Sequence, residues 1–75
     1  MITDLNNILI FKTNIATRQS RNRVLSLLNT YDSIEQSSVD IDDIDCVLRI
    51  VSDTLSSEQI ISIITASGFE CSELE

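Results

Sequence analysis

The chain has 75 residues, 43% of them apolar, and twelve acids against five bases give it a formal net charge of −7. That apolar fraction is too high for a disordered segment, and no apolar run approaches the ~20 residues of a membrane-spanning helix. The length allows one domain, residues 1–75, whose single small core needs nearly every Ile, Leu and Val.

The elements are taken in chain order. Ile8-Leu9-Ile10-Phe11 is a short apolar run of strand formers and predicts a buried strand ending near Thr13. Asn14 to Thr17 is a loop, and Thr17 is a good N-cap for a helix from Arg18 to about Thr30. On that helix Val24, Leu27 and Leu28 share the inward face, with Leu25 toward its edge. After the polar break Tyr31-Asp32-Ser33, the residues Ser37, Val39 and Ile41 alternate with Ser38, Asp40 and Asp42, the period of a half-buried strand. Asp42-Asp43 reads as the tip of a tight hairpin, and Cys46, Leu48 and Ile50 as the inward face of a third strand. Ser56 to Gln59 fits a capping box before a helix rich in isoleucine, which Gly68 ends in a left-handed conformation. Phe69 to Leu74 is a last short strand with Phe69 and Cys71 on one face.

The order βαββαβ predicts an α+β chain of the ferredoxin-like type, an open-faced sandwich with two helices on one face of an antiparallel sheet ordered 4-1-3-2. In that topology the Asn14–Ser20 turn, the acidic hairpin and the Gly68-Phe69 turn share one end.

Charge is unevenly spread. Residues 1–30 carry +3, through Lys12, Arg18, Arg21 and Arg23 against Asp4, and residues 31–75 carry −10. An acidic domain with three aromatic residues is not built for nucleic acid. The chain lacks His, the commonest general base and metal ligand. Thr17 and Ser20 have no neighbouring His or Lys to activate them, so no enzyme is expected. Cys46 and Cys71 are 25 positions apart, which is neither a zinc-finger spacing nor a disulfide scaffold, and they read as buried apolar residues. Met1 to Asn7 has no basic region leading into a long apolar stretch, so the expectation is no signal peptide, no membrane association and a cytoplasmic location.

Asn14, Ile15, Thr17 and Ser20 carry a resemblance. They stand where the heavy-metal-associated domain family, the module of copper chaperones and copper-transporting ATPases, has Gly-Met-x-Cys-x-x-Cys. Val24 and Leu28 match the family's Val and Leu four and eight residues after the second Cys. Ser33 to Ile41 resembles the family's Gly-Val-x-x-Val-x-Val-Asp-Leu strand, and Ser57 to Phe69 its helix ending in Ala-Gly-Tyr. The resemblance implies an interaction module that has lost its metal motif, because Thr17 and Ser20 replace the two cysteines. A soft ion such as Cu(I) takes thiolates, and hydroxyls are hard, neutral ligands near pH 7. No cofactor is therefore expected. The alternative is a copper or zinc carrier with relocated ligands. Free helix amides beside Arg18, Arg21 and Arg23 suit an anionic surface, either an acidic protein partner or the acidic hairpin of a second copy.

Overall fold

The structure, a computed structural model, describes residues 8–74. Met1–Asn7, on which the expectation of no signal peptide rests, and Glu75 lie outside the described residues. Six elements follow in chain order: β1 (Ile8–Thr13), α1 (Arg18–Leu28), β2 (Gln36–Asp40), β3 (Val47–Val51), α2 (Ser57–Ala66) and β4 (Cys71–Glu73). The strands form one antiparallel sheet in the order β2-β3-β1-β4, which is 4-1-3-2 counted from the other edge.

One face of the sheet carries the core. Phe11 of β1 pairs with Leu48 of β3, which pairs in turn with Val39 of β2, and Ile50 lies on the same face. Val24 and Leu28 of α1 and Ile60 and Ile64 of α2 pack into the same cluster, with Ile15 from the loop between β1 and α1. Each fully buried aliphatic side chain contributes roughly 1.5–3 kcal/mol, so a chain of this size depends on all of them. On α1 it is Leu25 that packs against the cluster, while Leu27 stays half-exposed at its margin. The two residues flank the Val24–Leu28 stripe on opposite sides, and the core takes the Leu25 side.

Local chemistry explains where the helices start and stop. The Thr17 hydroxyl accepts the Ser20 amide at 3.1 Å and caps α1. The helix ends at Leu28, two residues before the expected limit, where the Thr30 hydroxyl turns back to the Leu27 carbonyl. The capping box of α2 is complete: Gln59 N–H donates to Ser56 Oγ, and Ser56 N–H donates to Gln59 Oε1. At its other end Gly68, at φ 95°, donates to the Thr65 carbonyl, and Phe69 donates to the Ile64 carbonyl. These two bonds make a Schellman motif, and Phe69 packs back on the core beside it. β4 begins only at Cys71, after this turn.

The connection between β2 and β3 is longer than the tight hairpin expected from the sequence. Residues 41–46 form two successive turns. Asp40 Oδ1 accepts the Asp42 amide and Asp43 Oδ1 accepts the Asp45 amide, so each turn is closed by an aspartate side chain. Cys46 ends the second turn at φ 46° and lies before β3 rather than within it. Ile44, between the two turns, is 96% exposed.

Two buried hydroxyls tie the ends together. Thr13 Oγ1 donates to the Cys46 carbonyl at 2.6 Å and accepts the Ile15 amide at 3.1 Å. Ser52 Oγ donates to the Ser33 carbonyl at 2.6 Å and accepts the Leu55 amide at 3.1 Å, joining the turn after β3 to the turn before β2. Among the described residues no buried side-chain oxygen or nitrogen lacks a partner, and no helix is long and apolar enough to cross a membrane.

Candidate functional site

Three loops meet at one end of the sheet. The end of β1 is bonded to the β2–β3 turn through Thr13 N–H to the Asp45 carbonyl at 3.0 Å, in addition to the Thr13 hydroxyl. The turn before β4 is bonded to the β1–α1 loop, where Asn14 Oδ1 accepts the Glu70 amide at 2.8 Å. The first turns of α1, the acidic turn and the Gly68–Glu70 turn are thus neighbours, as the topology requires. Beneath them Ile15 is fully buried and fixes the loop to the core.

The residues singled out by the sequence are distributed around this end. Thr17 is exposed, and its oxygen is engaged with the Ser20 amide. Its position is therefore accounted for by helix capping. Arg18 and Arg23 are exposed and Arg21 is partly so. Among the described residues the only ion pair joins Lys12 Nζ to Asp45 Oδ1 at 3.7 Å, across the exposed surface. Among the described residues no acid makes a contact of this kind with the three arginines. They lie at the N-terminal turns of α1, where the helix dipole already favours anions. Beside Arg23 an open groove floored by Val24, Leu27 and Phe69 runs between α1 and the turn after α2. Sequence periodicity places Phe69 on the inner face of the last strand; it lies instead in the turn before β4, and the groove it floors is a contribution that periodicity does not single out.

The two cysteines flank Thr13. Cys71 is its partner across the β1–β4 ladder, and Cys46 supplies the carbonyl that its hydroxyl bonds. Both thiols are free, with Cys46 buried and Cys71 half-buried. Burial pushes the Cys71 thiol up to about 11, which holds it protonated near neutral pH. Among the described residues no three His, Cys, Asp or Glu side chains converge as a metal cluster.

No family model matches the chain, and no curated protein matches it.

Proposed function

We propose that this chain is a ferredoxin-like domain related to the heavy-metal-associated modules, without their metal motif, and that it works as a non-catalytic protein-interaction module. The surface in question is the loop end. An acidic protein docks there on Arg18, Arg21 and Arg23, with the groove at Phe69 taking an apolar side chain beside them. The observation that carries this reading is the placement of three arginines, in a molecule with twelve acids, on one end where no acid of the described residues pairs with them. Charge-assisted contacts of arginine with carboxylates are among the stronger polar interactions a surface can offer. Arg18 and Arg21 lie where a family member would present its metal, so the docking role of the loop persists without the ion.

The carrier alternative finds less support. Its relocated thiols would be Cys46 and Cys71, and the environment of Cys71 favours the neutral thiol over the thiolate that a soft metal takes.

The test is charge reversal. Arg18→Glu with Arg21→Glu is compared with the parent chain in pull-down from its own cell extract and in sedimentation. The proposal expects an acidic partner to be retained by the parent and lost by the variant, with the parent complex weakening as salt rises. Unchanged partners and unchanged mass would count against it.

A further inference from the structure

The two edges of the sheet are guarded unequally. β4 is only three residues long, whereas β2 runs for five, Gln36-Ser37-Ser38-Val39-Asp40, with neither Lys nor Pro among them. Short strands, lysines and prolines are the usual means of keeping a free edge from pairing. Among the described residues β3 is the only sheet neighbour of β2, and no backbone group outside the sheet bonds to Ser37, Ser38 or Val39. An open cavity of about 330 Å³ follows this edge, lined by Asn29, Gln36, Ser37, Ser38, Arg49 and Val51. Arg49, one strand in, thus borders the same space across the small side chain of Ser38, its register partner. It is the only base in residues 31–75.

We infer that β2 pairs antiparallel with the β2 of a second copy, joining two four-stranded sheets about a twofold axis that passes through Val39 perpendicular to the sheet. The β2–β3 register selects this alignment. Centred on Ser38, the pair would set Arg49, Ser38 and their two mates in one row, base facing base. Centred on Asp40, it would set carboxylate on carboxylate. Centred on Val39, it sets Ser38 opposite the partner's Asp40, and Asp40 opposite the partner's Ser38. Since Arg49 is opposite Ser38 on the inner side, the row then reads Arg49, Ser38, the partner's Asp40, and the twofold makes the same row a second time. Residues directly opposite one another in a ladder share a face, so all three side chains of a row lie on the face turned away from the helices. The two charged residues are two strand spacings apart, ~9.6 Å between backbones, which an extended Arg and an Asp span above a serine. On the helix side the same alignment sets the buried Val39 beside its own mate. Asp40 Oδ1 accepts the Asp42 amide within its own turn, which leaves Oδ2 for Arg49 of the partner subunit. The contact is far smaller than that of permanent dimers, so the association is weak and depends on concentration.

Sedimentation equilibrium of the full chain over rising concentration, with amide exchange along β2 followed at each concentration, tests this. The expected result is a monomer–dimer equilibrium in which β2 amides exchange more slowly as the dimer forms. Arg49→Asp sets acid in line with acid in both rows and weakens the dimer by about tenfold or more. Asp40→Asn keeps the oxygen that closes the turn and weakens it by about threefold. Ser38→Glu, directly opposite the partner's Asp40, abolishes it. Ile10→Lys, on the face away from the helices but two strands from the edge, leaves it unchanged. Circular dichroism verifies that each variant folds. Should Ser38→Glu disturb the ladder, Arg49→Asp and Asp40→Asn still decide, since both positions are exposed. A chain that stays monomeric throughout overturns the inference. So does a dimer indifferent to Arg49→Asp or Asp40→Asn, a folded Ser38→Glu variant that dimerises as the parent does, a dimer dissolved by Ile10→Lys, or one whose β2 amides exchange as fast as the monomer's.

Discussion

Replacing Thr13 by Val removes one oxygen and nearly nothing else. The hydroxyl sits in the buried seam between β1 and the β2–β3 turn, donating to the Cys46 carbonyl at 2.6 Å and accepting the Ile15 amide at 3.1 Å. Ile15 is fully buried and Cys46 nearly so, which leaves little room for water to replace the lost partner. Each buried group left unpaired costs about 1–3 kcal/mol. The added methyl recovers at most about 0.8 kcal/mol. The expected net loss is about 2–3 kcal/mol, a large share of the stability of a domain this small. For a chain of this length it corresponds to a fall in Tm of roughly 10–20 °C. Urea and thermal unfolding of Thr13→Val, with Thr13→Ser as the control that keeps the hydroxyl, measure it directly. The Ser variant should lose only about 1 kcal/mol, for one buried methyl. The Ile15 amide should exchange faster in the Val variant and stay protected in the Ser variant. If Val is as stable as the parent, or if Ser loses as much as Val, the seam is not held by this oxygen.

Other substitutions follow from the same reasoning. Gly68→Ala should cost about 1–2 kcal/mol through backbone strain alone, because φ is 95° and no atom lies within 4 Å of the added Cβ; an unchanged urea midpoint would contradict it. Cys46→Val, apolar and similar in size, should destabilise by about 1–2 kcal/mol because a β-branched residue resists φ 46°, whereas Cys46→Ala should be milder; calorimetry that ranks them the other way would refute the strain argument. Ser56→Ala should lose about 1 kcal/mol with its half of the capping box, seen as a lower melting temperature. The Cys71 thiol, raised from 9.0 to about 11, should alkylate at pH 9 much more slowly in the folded chain than in urea. Since the native state holds that proton more tightly, stability should fall as pH rises from 9.0 toward 11; equal alkylation rates, or stability that rises over that window, would speak against it.

The features legible in the sequence were those set by neighbours in the chain. Thr17 caps a residue three positions on, Ser56 and Gln59 reach each other across one turn, and Gly68 marks a left-handed end. The inward faces of β2 and β3 follow from alternation, which is local too, whereas the continuous apolar run of β1 does not say which of its faces turns inward. What the sequence hid depends on distant partners or on rival readings of one pattern. Thr13 and Ser52 look like ordinary strand-end hydroxyls until their acceptors, Cys46 and Ser33, are placed 33 and 19 residues away. The run Asp40-Ile41-Asp42-Asp43-Ile44-Asp45 alternates like a strand continuing into a tight turn. The structure instead spends two of its carboxylates on closing turns, and leaves Ile44 in solvent. At the loop end, the cap at Thr17, the buried anchor Ile15 and the basic character of early α1 were legible. The groove beside Phe69 was not, because it forms only when the turn after α2 comes back against α1.

Native mass spectrometry of the chain drawn from its own cell extract without chelators tests the central claim most directly. The account predicts a metal-free mass and a complex with an acidic protein that Arg18→Glu with Arg21→Glu abolishes. A chain carrying one copper or zinc ion, or a complex that survives the loss of both arginines, would contradict it.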